Sequence, residues 1–91
     1  MSWQVFPGGD LIERGLRDLE QDRESVYSLL VSIGAPRLRH LVDLPAAPYS
    51  DPEHRLYELL AEEDPDSAHS RYNAFIRRLV SFERAAECAS P

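Results

Sequence analysis

The sequence has no lysine, one cysteine, one tryptophan, one methionine and only four glycines in 91 residues. Each scarcity narrows what the chain can be. A single thiol, Cys88, excludes an internal disulfide and suits a reducing compartment. The four glycines do not assemble a phosphate-binding loop, because Gly8-Gly9 lacks both the further glycines and the preceding strand that such a loop requires. No serine sits in a strand-turn-helix elbow, so nucleophilic catalysis has no visible constellation. The chain is therefore read as a non-enzyme, with no cofactor expected. Apolar runs are short: no window approaches the ~18 residues of a membrane span, and residues 1–10 lack a signal peptide's basic region and apolar stretch. The expectation is a soluble, cytoplasmic protein.

Cationic charge is also scarce. Sixteen acidic residues face ten arginines for a net charge of −6, which opposes any binding mode that depends on neutralising many phosphates. Nucleic acid is disfavoured as a partner, although a local patch is not excluded by net charge alone. The exclusive use of arginine carries no functional weight, since a GC-rich genome explains it equally well.

What is present is ordinary globular composition, 43% hydrophobic and 29% charged. Its length suits one core, so residues 1–91 are read as a single helical domain with a leader over 1–9 and a proline-rich connector over 44–50. The cleanest periodicity runs from Asp64 to Glu87. Ala68, Tyr72, Phe75, Leu79, Phe82 and Ala86 recur at alternating intervals of four and three, flanked by Ile76 and Val80. Asp64 as cap, Pro65 in the first turn and Asp66 near the positive dipole end predict where this helix starts, and no Gly or Pro interrupts it before Pro91. The predicted fold is all-α, an irregular bundle of four or five helices organised around this long C-terminal helix.

Upstream, Asp10 reads as the cap of a first helix bearing Leu11, Ile12, Leu16 and Leu19. A continuous helix through Gln21 to Glu24 would place Arg23 on the apolar seam, so a break is expected there, with Ser25 capping a second helix. Gly34 reads as its terminator and Pro36 as the start of a short third helix through Val42. Ser50-Asp51-Pro52-Glu53 has the pattern of a capping box opening a further helix, with Leu56, Tyr57, Leu59 and Leu60 inward. The acids at Glu62-Glu63-Asp64 imply a tight turn before the last helix. In the leader, Trp3, Val5 and Phe6 either cover the core or form a free arm; core cover is favoured because exposed aromatics are a solubility liability.

Two polar residues fall within the apolar arc of the last helix, Glu83 and His69. A carboxylate in that position must find a donor or take up a proton, so Glu83 is expected to pair with an arginine from the earlier helices. The alternative is a perturbed acid in a pocket. Metal binding has little to build on: no two of His40, His54 and His69 share a helix face, and the carboxylate–histidine pair that stands out is Asp66 with His69, three residues apart beside an acidic turn. A solvated acidic turn is the preferred reading of that pair.

Two functional readings follow. The first is a non-catalytic protein-interaction or regulatory module of unknown partner. Its surface would be the flank of the last helix, where Ile76 and Val80 widen the apolar arc to about 160° against the ~100° that a surface helix needs. A partner or second copy seated there would have His69 and Asn73 along its rim, with Arg77 and Arg84 on the adjoining outer face, making a homodimer the specific expectation. The second is a small DNA-binding regulator, because Val26 to Val42 superficially resembles a helix-turn-helix with Arg37, Arg39 and His40 on its second piece.

Overall fold

The computed structural model describes residues 3–89, so Pro91 and the first two residues of the leader lie outside the described residues. A 3-10 turn over Trp3–Val5 precedes four α-helices: α1 (Gly9–Glu20), α2 (Val26–Leu38), α3 (Pro52–Glu63) and α4 (Ala68–Ala89). No strand occurs among the described residues. The all-α expectation holds. The hub, however, is α2, the helix in contact with each of the other three, whereas α4 is the longest. Ser28, Leu29, Leu30, Val31, Ser32, Gly34, Ala35 and Leu38 surround α2 with buried side chains. A helix apolar on nearly every side belongs inside and shows no stripe in the sequence.

The start of α1 is set by Gly8 in the left-handed region at φ 74°, and a Cβ there would lie 2.7 Å from the Arg78 carbonyl oxygen. Asp10 is therefore not the cap. It sits in the first turn, near the positive end of the helix dipole, and accepts a hydrogen bond from Arg78 at 3.2 Å. The break at residues 21–24 is present. Asp22, at φ 53°, donates to Leu19 O while Arg23 N–H reaches Asp18 O at 2.7 Å, closing a Schellman motif that leaves Arg23 in solvent.

Ser25 caps α2 as expected. Its hydroxyl oxygen accepts from Ser28 N–H at 3.1 Å and donates to Asp18 at 2.7 Å, while Ser28 Oγ accepts from Ser25 N–H at 2.8 Å. The helix then runs through Gly34 and Pro36, so the expected stop and the short third helix are absent. The reason is tertiary. A Cβ at Gly34 would lie 2.8 Å from Leu79 Cδ1, so this glycine admits α4 to close approach instead of ending α2. Pro36 falls in the last turn, on the exposed side, where one missing N–H costs least. With no turn at Gly34, the helix-turn-helix resemblance loses its geometric basis.

The connector is tied to the hub by Tyr49 N–H donating to Ser32 Oγ at 3.1 Å. The capping box expected at Ser50 does not form. Asp51 occupies the cap position in the left-handed region at φ 47°, without a side-chain cap bond, and Pro52 begins α3 as its fixed φ favours. Leu56 and Leu60 are buried, but Tyr57 is 40% exposed and packs beside Tyr72 instead of turning inward. The expected tight turn follows. Asp64 is extended at φ −158°, and its Oδ1 and carbonyl accept from Asp66 and Ser67 N–H. Asp64 thus caps this turn, and α4 begins at Ala68, later than the sequence implies.

The leader covers one edge of α4. Trp3 and Phe6 pack against Phe82 with ring centroids 5.7 and 6.1 Å away, and Trp3 N–H donates to Glu13 Oε1 at 2.7 Å. Val5 stays in solvent at 76% exposure.

Candidate functional site in the α2–α4 groove

Along α4, the buried residues Ala68, Leu79, Phe82, Glu83 and Ala86 lie on one arc. Phe82 marks its leader-covered edge; Ile76 and Val80 mark the other and are only half-buried. The placement of the leader therefore resolves which edge is open. Ile76 and Val80, with Leu79 and Glu83, form one wall of a groove whose other wall is Ile33, Gly34, Pro36 and Arg37 from α2. The continuation of α2 past Gly34 is what brings Pro36 and Arg37 alongside α4.

The groove holds about 220 Å³. Small-molecule sites usually enclose roughly 300–1,000 Å³ and converge several polar groups on the ligand. This hollow is smaller and mostly aliphatic, dimensions that suit side chains of a docked segment better than a cofactor.

Its one buried polar residue is Glu83, at 5% exposure. The sequence reading of a carboxylate within the apolar arc is correct, but the expected pairing is incomplete. Among the described residues Glu83 makes neither a side-chain hydrogen bond nor a salt bridge. Among the described residues no fully buried side-chain oxygen lacks a partner, so the Glu83 oxygens retain contact with solvent, and the groove is the opening they line. Burial pushes its carboxyl above the ordinary range; the Arg37 guanidinium pulls the other way, and the Glu87 carboxylate adds to the rise. Arg37 is the cation that faces it electrostatically, from the end of α2.

The other residues singled out from sequence distribute along this flank. His69 and Asn73 are exposed one turn apart, with Asn73 Nδ2 3.2 Å from His69 Nε2, so that ring nitrogen acts as an acceptor when Asn73 donates. Arg77 and Arg84 are exposed, at about 60° and 40° around the helix from Val80. Arg39 instead turns back to donate to Ala35 O at 3.4 Å, and His40 is exposed in the turn after α2. The three residues of the DNA-binding reading thus lie at the end of α2 and in the turn after it, and not on a separate helix. Asp66 lies in the turn before α4, and among the described residues no group of three or more His, Cys, Asp or Glu is placed to hold a metal ion. Ile33 and Pro36 are the groove residues that sequence reasoning missed. Pro36 reads in the sequence as the start of a short third helix, whereas it lies in the last turn of α2.

Among the described residues no helix is long and apolar enough to cross a membrane. No protein-family model matches the chain, and neither curated proteins nor solved structures contain a significant match to it.

Proposed function

We propose that this protein is a non-catalytic interaction module whose working surface is the groove between α2 and α4. The observation that carries the reading is Glu83: a carboxylate at 5% exposure, without a hydrogen-bond partner among the described residues, lining an aliphatic hollow. Burial disfavours its charged form, and its oxygens reach solvent only through the groove; such a cost to the fold persists most readily where a function uses the group. The half-buried Ile76 and Val80 add apolar surface that the leader does not reach. Apart from Glu83 and Arg37 the lining is Ile33, Gly34, Pro36, Ile76, Leu79 and Val80, a composition suited to packing and not to bond making.

Affinity capture from the cells that make the protein tests this reading. Wild type and Val80→Glu, both verified as folded by circular dichroism, are compared at equal loading. A specific partner, recovered with wild type and depleted at least about tenfold by Val80→Glu, is expected, equivalent to ~1.4 kcal/mol of binding. Equal recovery by the two proteins would remove the groove from consideration.

A further inference from the structure

The charges around the groove identify the kind of partner it takes. Four of the ten arginines of this acidic chain are engaged by an acid or an aromatic ring. Arg55 bridges Glu24 at 2.9 Å, Arg71 bridges Glu63 at 2.8 Å, Arg78 bridges Asp10 at 3.2 Å, and Arg14 lies over the Tyr27 ring at 4.2 Å. Among the described residues Arg77 and Arg84 have no such partner, and Arg37 has only the longer-range pull of Glu83. All three border one aliphatic strip: Arg37 on the α2 wall, Arg77 and Arg84 on the α4 face beyond Val80. Glu83 on the floor and the exposed Glu87 are the acids on this side of α4, and the three cations outnumber them.

A protein of net charge −6 that leaves three unneutralised arginines around its open apolar groove presents complementarity to a negatively charged partner. A second copy of the chain meets this condition poorly. Antiparallel pairing of two α4 flanks through Val80 would bring Arg77 of one copy against Arg84 of the other, because such a pair places like flanks on the same side. A second arginine-lined hollow, around Arg14, Arg17 and Arg23, also holds Asp18 and has no aliphatic floor, so it lacks the apolar component that gives a docked helix its grip; a third, at Arg71, Ala74, Phe75 and Arg78, has both its arginines already paired, with Glu63 and Asp10.

We infer that the α2–α4 groove binds an acidic amphipathic helix of another protein, its apolar residues seated on Ile33, Ile76 and Val80 and its flanking carboxylates paired with Arg37, Arg77 and Arg84. This assignment rests on the groove being a docking surface. The apolar contacts supply the hold, and the arginines supply orientation and rapid encounter. Glu83, at the groove floor, accepts from a donor on the incoming helix or, when protonated, donates to one of its carbonyl or carboxylate oxygens.

Fluorescence anisotropy with two designed peptides tests it. Both carry leucines at i, i+3, i+4 and i+7; one is flanked by glutamates and the other by lysines in the same places. The acidic peptide is expected to bind wild type saturably, to weaken as salt rises, to lose at least about tenfold in affinity with Arg77→Glu/Arg84→Glu, and to regain it when the basic peptide is paired with that variant. Tighter binding of the basic peptide by wild type would overturn the charge assignment while leaving the groove as a docking surface. So would sedimentation equilibrium showing a wild-type homodimer that Val80→Glu dissociates. A 20-base-pair duplex that binds more tightly than the acidic peptide, with the arginines required, would replace the helix by nucleic acid. Absence of saturation by either peptide up to about 1 mM would overturn both the assignment and the docking reading.

Discussion

Replacing Gly34 and Leu79 by alanine, singly and together, probes the packing that creates the groove. In the native structure a Cβ on Gly34 would sit 2.8 Å from Leu79 Cδ1 and 3.0 Å from Leu38 Cδ1. Gly34→Ala alone therefore overpacks a buried contact, at a cost of ~1–3 kcal/mol, offset by the ~0.8–1.0 kcal/mol that alanine gains in a helix interior. A net loss of ~0.5–2 kcal/mol is expected. Leu79→Ala alone removes a side chain that is 3% exposed; its position at the groove wall allows some collapse, so the expected cost is ~2–3 kcal/mol, in the lower part of the usual range. In the double variant the closest clash is gone and the new methyl fills part of the space, so the two losses are sub-additive by ~1–2 kcal/mol. Urea denaturation followed by far-ultraviolet circular dichroism measures the cycle, with unchanged m-values showing that the transitions remain comparable. Additivity within ~0.3–0.5 kcal/mol would refute the reasoning. It would indicate a glycine retained for backbone conformation, as at a helix terminus, where alanine costs the same whatever stands at position 79.

Glu83→Gln tests the buried carboxylate. A carboxyl whose pKa is raised by folding holds its proton more tightly in the native chain, so stability falls as pH rises from the ordinary glutamate range through the raised value. The variant should therefore melt higher than wild type at pH 7 and lose that advantage towards about pH 4; an advantage that grows on acidification would contradict the assignment. Ser25→Ala removes both a cap and the link to Asp18, and a loss of ~1–2 kcal/mol is expected in the same urea assay, with under ~0.3 kcal/mol arguing against the cap. Gly15→Ala places a Cβ against the Tyr27 carbonyl oxygen and 2.5 Å from Val31 Cγ2; because backbone cannot swing aside, a loss of at least ~2–3 kcal/mol is expected, and a neutral result would mean α1 and α2 pack less closely.

The parts of this fold that were legible in the sequence are those governed by neighbours along the chain. Arg23 would have occupied the apolar seam of a continuous helix, and Ser25 follows it with a capping hydroxyl; the break and the cap are both present. The stripe from Ala68 to Ala86 marks α4, and Glu83 stood out within it as a buried carboxylate. What was not legible depends on approach between distant segments. Gly34 followed by Pro36 reads locally as a helix end, and only the arrival of Leu79 explains a glycine inside α2. The central position of α2 was hidden for a related reason. Periodicity reveals helices that are half exposed, and α2 is buried on nearly every side, so the longer striped helix dominates the sequence pattern. Ser50 and Asp51 show the same limit at a cap: two adjacent candidates share the pattern, and the left-handed backbone at Asp51 chose between them. For the site, Ile76 and Val80 were identifiable from their place at the edge of the arc. Ile33 and Pro36 were not, and Arg37 stood out only for the DNA-binding reading, because their position beside α4 follows from the uninterrupted run of α2.

The most direct test of the groove as an interaction surface is site-resolved photo-cross-linking in the cells that make the protein. A benzophenone side chain is placed at Asn73 on the groove rim or at exposed Glu20 at the end of α1, outside the groove lining. The account predicts a discrete heterologous adduct from position 73, absent from position 20 and lost when Val80→Glu is added. Equal labelling from both positions, or an adduct at position 73 indifferent to Val80→Glu, would contradict it.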